Sequence, residues 1–227
     1  MAFIGMPAGA SAEWFGDLYG GMVVSGLANS TFIQHVPQEQ TVPTKNRSAA
    51  SPTFGVRAGY WFAKPYSEKG ESTLGHFLGM AADISYFAQK TDRSRFDLVP
   101  ISVLLMVRIP LLKSDEFPAG RLQPYAGVGP SLMFANSSID SPGQGINGVS
   151  NFEAAIALDV RAGIAWQAHK VFKIFAEYRL TNANLIDRSY ICTNPQGCGH
   201  RTNTESTLTD ETRTMLLAHH VLVGFRF

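Results

Sequence analysis

The sequence is poor in charge, since only 16% of its 227 residues are Asp, Glu, Lys or Arg, against ~25% in ordinary soluble domains. The formal net charge is +1, which argues against the concentrated basic surface of a nucleic-acid-binding protein. The chain also lacks any run of ~18 consecutive apolar residues, which excludes a helical membrane span. Its hydrophobic residues, 45% of the total, are instead divided among many short segments.

Cysteine is equally scarce, and the two that occur are Cys192 and Cys198. They enclose Thr-Asn-Pro-Gln-Gly, a turn-forming segment, and in an oxidising compartment this spacing predicts a disulfide. A metal site is the alternative, because His200 lies nearby. Two cysteines and one histidine are too few for tetrahedral coordination. We therefore predict a disulfide between Cys192 and Cys198, with no metal ion and no cofactor.

Eight segments of the chain alternate between apolar residues and small or polar ones. In the clearest, which spans 152–166, every second residue from Ala154 to Trp166 is apolar. Side chains alternate between the two faces of a strand, so each segment predicts a strand with one apolar and one mixed face. The segments are 14–24, 53–62, 74–87, 98–111, 122–134, 152–166, 171–180 and 214–227. They predict an all-β fold, an eight-stranded antiparallel up-and-down transmembrane β-barrel.

Polar stretches separate these segments, and they are long and short in turn. The long ones are expected to be extracellular loops at about 28–51, 135–151 and 181–213, with short periplasmic turns between them. Residues 1–12 end in Ala10-Ser11-Ala12, which fits the small-x-small rule of signal-peptide cleavage. We read 1–12 as a truncated signal-peptide remnant and 13–227 as the barrel. A flexible apolar leader that is never cleaved is the alternative.

The mixed faces carry repeated glycine, which suits a narrow barrel interior better than a solvated outer surface. Charged residues on the same faces would then have to pair inside the lumen. The predicted interior charge network consists of Asp17, Arg57, Asp83, Arg108, Asp159, Arg161, Lys173, Glu177, Arg179 and Arg226. It is expected to plug the barrel; lining a narrow pore is the other possibility. A soluble eight-stranded carrier would instead need polar outer faces.

Two motifs resemble those of a known family. Pro124, Tyr125, Gly127 and Gly129 form a run that resembles the fifth-strand motif of small OmpA-type and OmpX-type outer-membrane barrels. The ending Val-Leu-Val-Gly-Phe-Arg-Phe is similar to the C-terminal signal that the barrel-assembly machinery reads in that family. This resemblance, which covers about 13–227, implies an outer-membrane location in a Gram-negative bacterium, with outer-membrane lipids and lipopolysaccharide as partners. The residues to which it assigns the assembly signal are Val221, Val223, Phe225 and Phe227.

The expected function is a structural and surface-interaction role in the cell envelope, with a possible extracellular ligand for the loops. One alternative is a small pore or hydrophobic-solute channel of the OmpW kind, and another is a lipid A-modifying enzyme. The His-x-Ser-Asn signature of the lipid A deacylases is absent from the sequence. His219 and His220 are consecutive on a strand and so point to opposite faces, where they cannot share a metal ion. We therefore expect no enzymatic activity and no nucleic-acid partner.

Overall fold

The structure is a computed structural model that describes residues 13–34, 49–62, 77–90, 94–114, 117, 120–139, 150–169, 171–192 and 206–227. Residues 1–12, which we interpret as a signal-peptide remnant, lie outside these ranges. Cys198 does as well, so the disulfide with Cys192 stays a prediction.

The described chain folds into eight strands that form one closed antiparallel barrel, with each strand beside the next in sequence and β8 beside β1. The predicted fold class is therefore confirmed. The strands are β1 (Glu13–Gln34), β2 (Ala49–Trp61), β3 (Leu78–Lys90), β4 (Ser94–Arg108), β5 (Leu122–Ile139), β6 (Ser150–Gln167), β7 (Lys173–Cys192) and β8 (Ser206–Arg226). We call the end at which β1 begins and β8 ends the basal end, and the opposite one the distal end.

Most strands are longer than the alternation predicts, and the difference is largest for three of them, with 22 residues in β1, 20 in β7 and 21 in β8. These three continue into stretches expected to be loops, and they pair with one another up to Gln34 opposite Asp210 and Cys192 opposite Ser206. These extensions are rich in polar residues. A strand without one apolar face carries no period-2 signal, so the hydrophobic pattern could not reveal them.

The apolar faces of the strands point outward. On β1, the side chains of Trp14 and Leu18 are 64% and 58% exposed, whereas Phe15, Asp17 and Tyr19 between and beside them are buried. A soluble barrel would have the opposite polarity, so the exposed apolar surface is the one that faces lipid. Among the described residues, no helix is long and apolar enough to cross a membrane.

The interior is layered along the barrel axis. Charged side chains and aromatic rings, including Tyr19, Tyr125 and Phe175, fill the basal and middle parts. The distal part is filled by a separate apolar cluster, which we call the distal apolar layer. Its buried members are Val23, Phe87, Leu98, Met133, Ala135, Ala155, Ala157, Ala183, Leu216 and Ala218. This layer was not predicted from the sequence. Its residues lie on the mixed faces of the strands, where apolar and polar residues alternate without a pattern that marks one level of the barrel as apolar.

The outward polarity predicts that a charge on the outer surface destabilises the barrel. Val103 lies near the middle of β4 and is 51% exposed. We expect Val103→Arg to lower the free energy of unfolding in lipid vesicles by ~2–4 kcal/mol, the cost of placing an arginine at the bilayer midplane. Val103→Leu, the matched control, should stay within ~0.5 kcal/mol of the parent. Equal stability of the two variants in denaturant titrations would contradict a lipid-facing position.

Candidate functional site

Asp17 on β1 is a buried carboxylate that lies between two arginines in the barrel interior. Its register partners are Arg57 on β2 and Arg226 on β8, so all three side chains point into the lumen at one level. Arg57 Nε donates to Asp17 Oδ2 at 2.7 Å, while Arg226 donates to both carboxylate oxygens at 2.7 and 2.8 Å. All three side chains are at most 1% exposed. Asp17 thus joins the strands on both sides of β1.

Arg161 on β6 is the centre of the network. Its guanidinium reaches across the lumen to Asp83 on β3, with Nη2–Oδ1 at 2.7 Å and Nη1–Oδ2 at 2.8 Å. The same group donates to Asp159 of its own strand at 2.8 Å. Such bidentate, charge-assisted pairs are among the strongest hydrogen bonds in proteins and fix the geometry of both partners.

Glu177 and Arg179, both on β7, connect these groups into one network. Glu177 forms an ion pair with Arg57, with Oε2 2.8 Å from Nη1, and its Oε1 lies 3.5 Å from Arg161 Nη1. Arg179 Nη2 is 2.9 Å from Asp159 Oδ2. All of these side chains have an exposure of 0%. A chain of ion pairs therefore crosses the lumen from Asp17 to Arg179 without interruption.

Neutral hydroxyl groups complete the coordination of the carboxylates. The phenol of Tyr19 donates to Asp83 at 2.7 Å, and that of Tyr125 donates to Glu177 at 2.7 Å. Ser102 donates to Asp159 at the same distance. Buried charges are tolerated when their remaining hydrogen-bonding positions are filled in this way. These three donors were not assigned to the network from the sequence. Tyr125 was noted only as part of the fifth-strand motif, and nothing distinguishes Tyr19 and Ser102 from other polar residues on inward faces.

Aromatic rings occupy the space between the arginines. The guanidinium of Arg226 lies 4.5 Å from the ring centre of Phe15 and 4.8 Å from that of Tyr125. Arg57 lies 5.5 Å from Phe175. Such cation–π contacts stabilise an arginine that water does not reach. Glycine provides the room: a Cβ at Gly163 would lie 2.7 Å from the Tyr125 hydroxyl oxygen.

A second group of charges lies at the basal end, and we call it the basal cluster: Glu13, Trp61, Arg108, Gln123 and Lys173. Glu13 accepts Arg108 Nη2 at 2.6 Å and Lys173 Nζ at 3.2 Å. Lys173 also donates to Gln123 at 3.2 Å, and the Arg108 guanidinium lies 4.4 Å from the Trp61 ring centre. Glu13 is absent from the predicted network. It lies on the same inward row of β1 as Asp17, and extending the alternation of β1 back to residue 13 would have included it.

The structure places all ten residues of the predicted interior network inside the barrel, each at most 8% exposed. It divides them into two groups. Arg108 and Lys173 belong to the basal cluster, and the remaining residues form the middle network. The members of the middle network are Asp17, Arg57, Asp83, Asp159, Arg161, Glu177, Arg179 and Arg226.

The two histidines of β8 lie on opposite sides of the wall. His220 is buried with its ring 5.0 Å from that of Phe87, at the border of the distal apolar layer. His219 points outward, and its Nδ1 lies 2.5 Å from the Tyr178 hydroxyl. In the ranges that the structure describes, no three His, Cys, Asp or Glu residues form a metal-binding group.

The predicted assembly-signal residues all lie on the outer surface of β8. Their exposures are 66% for Val221, 60% for Val223, 48% for Phe225 and 64% for Phe227. The backbone of Phe227 pairs with Gly16 of β1 at 2.9 and 3.1 Å. These residues therefore belong to the closing seam of the barrel, and their recognition during assembly stays a prediction.

No family model and no curated protein matches the sequence. Solved structures do match the fold. Neisserial surface protein A (NspA) aligns with a TM-score of 0.52 at 16% identity, covering 95% of this chain and 97% of the other. The outer-membrane protein OprG from Pseudomonas aeruginosa aligns with a TM-score of 0.53 at 11% identity, covering 94% and 95%. At such low identity, the likeness concerns the fold.

The central position of Arg161 predicts a large effect of its removal. Arg161→Met leaves Asp83 and Asp159 buried with one partner fewer, and we expect it to lower the free energy of unfolding by ~3–5 kcal/mol. Adding Asp83→Leu should then cost much less than Asp83→Leu does alone, because the two side chains act as a pair. The measurement is a double-mutant cycle of denaturant unfolding in lipid vesicles. Additive single effects would show that the pair is not coupled.

Proposed function

We propose that this chain, an eight-stranded barrel of the small outer-membrane type, is a structural and surface-interacting protein of the outer membrane whose lumen is closed to solutes. The role is not enzymatic. The continuous ion-pair network across the lumen is the observation that supports this proposal most directly. An interior of eight strands is about filled by side chains, and here the filling consists of charges that hold one another in place.

The middle network is a strong barrier to solutes. Its salt bridges of 2.7–2.9 Å link β1, β2, β3, β6, β7 and β8 around the lumen. A solute that displaced one partner would leave the other buried without its counter-charge, at a cost of ~3–5 kcal/mol. The distal apolar layer adds a second closure, since Phe87, Leu98 and Met133 in it are 0% exposed.

The distal extensions of β1, β7 and β8 favour a role at the cell surface. Among the described residues, β1 beyond Ser25 pairs only with β8, and β7 beyond Ala183 pairs only with β8. The three strands therefore form a ribbon that continues past the described ends of β2 and β3. We place an extracellular ligand, lipopolysaccharide contacts, or both, on this ribbon and the connections beside it.

The barrel-assembly machinery is the proposed partner of the β8 seam residues.

Closure of the lumen is tested by single-channel recording. We expect the purified protein, reconstituted into planar bilayers, to give no unit conductance steps under voltage at which a general porin conducts. Regular conductance steps from the unaltered protein would refute a closed lumen.

Passage of a hydrophobic solute is the second candidate, and a gap in the barrel wall favours it. The pairing of β6 with β7 ends at Ala157 opposite Ala183. Beyond that point, in the described part of the chain, β6 pairs only with β5, and β7 only with β8. Ala155, Ala157 and Ala183 face the lumen here, within the distal apolar layer. Small apolar side chains thus border a seam where the described parts of β6 and β7 form no backbone hydrogen bonds with each other.

A bulky side chain beside this seam tests the second candidate. Ala157 faces inward and Ala162 of the same strand faces outward. If apolar solutes pass beside this seam, Ala157→Trp should reduce entry of the apolar fluorophore N-phenylnaphthylamine into expressing cells to the level of cells without the protein. Ala162→Trp, the matched control, should leave entry unchanged. Equal dye entry with and without the unaltered protein would exclude this route.

A further inference from the structure

In the basal cluster, two buried cations share one carboxylate. Arg108 and Lys173 are 1% and 8% exposed, and both bond to Glu13. Within the described ranges no other carboxylate forms an ion pair with either of them. Asp17, the next inward carboxylate after Glu13 on β1, is already occupied by Arg57 and Arg226. The cluster therefore has an excess of one positive charge in a place that water hardly reaches.

The same cluster contains hydrogen-bond donors without acceptors. Nε and Nη1 of Arg108 and Nε1 of Trp61 are buried, and no group in the described part of the chain accepts a hydrogen bond from them. All three are N–H groups that can only donate. Nearly all buried polar groups in native proteins find a partner, because an unsatisfied donor costs ~1–3 kcal/mol. The cluster thus has three donors without acceptors and one positive charge in excess. An anion would supply both the acceptors and the missing negative charge.

The local sequence fixes this geometry. Trp61 is the last residue of β2, and its register partner on β3 is Gly79. A Cβ at Gly79 would lie 2.5 Å from a carbon of the Trp61 ring, so only glycine lets the indole lie across β3. The ring thereby reaches the guanidinium of Arg108 on β4, 4.4 Å from its centre. The donors are held by packing before any anion arrives.

We propose that the basal cluster is a binding site for a small oxyanion, a carboxylate or a phosphate. Arg108 has an unpartnered N–H group on each side of Nη2, the atom that donates to Glu13. An oxyanion can therefore complete a planar fork with Nη2 on the side that Glu13 leaves free. Trp61 Nε1 supplies a third donor, and Lys173 supplies compensating charge. Glu13, whose side chain is 25% exposed, covers the site and gives it contact with the basal solvent. This site does not depend on whether the lumen conducts.

A second arginine that stacks on a tryptophan, Arg121, provides a comparison for Arg108. The guanidinium of Arg121 lies 5.0 Å from the ring centre of Trp166, which is 41% exposed on the outer surface. Arg121 is itself exposed, so solvent satisfies its donors. Stacking on tryptophan is therefore common to both arginines, whereas burial and orphaned donors belong to Arg108. Arg121 is the matched control for the test.

The test uses the indole signals of the three tryptophans in ¹⁵N NMR spectra of the full chain in maltoside micelles, which carry no anionic group. Trp→Phe variants assign the signals. We expect inorganic phosphate, at ionic strength held constant with sodium chloride, to shift the Trp61 signal saturably and to leave those of Trp14 and Trp166 in place. Arg108→Met should abolish the shift, and Arg121→Met should preserve it.

A parallel titration with phosphatidylglycerol in the same micelles distinguishes the source of the anion. A shift of Trp61 with the lipid alone identifies a headgroup phosphate, and a shift with inorganic phosphate identifies a free anion. Either result supports the proposal. No saturable shift with either probe, or equal shifts of all three tryptophans, would overturn it.

Glu13 provides a test of opposite sign. Glu13→Gln frees Arg108 and Lys173 from their shared counter-charge, so the apparent affinity for phosphate should rise about tenfold or more. A purely structural ion pair predicts unchanged or weaker binding in a folded Glu13→Gln protein, and that result would overturn the proposal. If this variant does not fold, Lys173→Met serves in its place. It should weaken phosphate binding several-fold, and unchanged binding would count against the site.

Discussion

The structure depends on the need to pair every charge that the narrow lumen encloses. A strand that faces lipid on one side must place its polar residues on the other, where water is also excluded. An unpaired charge in such a place costs several kcal/mol, and the charges of the middle network avoid this by bonding across the barrel. Arg161 shows the consequence, because a single guanidinium connects Asp83 of β3 to Asp159 of β6. The walls of the barrel are thereby tied together from inside.

This pairing also specifies the register of the strands. Arg57 and Arg226 lie directly opposite Asp17 on the two neighbouring strands. A shift of either strand by one residue would turn its arginine toward lipid, and a shift by two would move it one level along the axis. A shift by one would likewise turn the outer apolar side chains into the lumen. They tolerate a shift by two far better than the charges do, since lipid does not distinguish one apolar side chain from another. The charges therefore select the register among pairings that the apolar faces alone leave open.

Much of this could be predicted from the sequence, for a clear reason. Period-2 alternation reports which residues share a face, and it identified the barrel, the outward apolar rows and the inward position of groups such as Arg57 and Asp159. Partners across the lumen depend on strand tilt and stagger, which alternation does not contain, so the bond from Arg161 to Asp83 could not be foreseen. The distal extension of β7 was missed because its polar residues lack the pattern. Glu13 was missed because it lies at the expected edge of the barrel.

The bond between Asp17 and Arg226 has a consequence for the order of folding. These residues are 209 positions apart in the chain, which makes this contact one of the least local that the protein forms. Loop-closure entropy delays contacts of this kind until most of the chain is ordered. Before closure, Asp17 is neutralised by Arg57 of the adjacent strand, whereas Arg226 has no counter-charge. The final strand therefore brings an unpaired arginine to the edge of the sheet. The free energy of its ion pair with Asp17 is gained only in the last step of folding, when β8 pairs with β1.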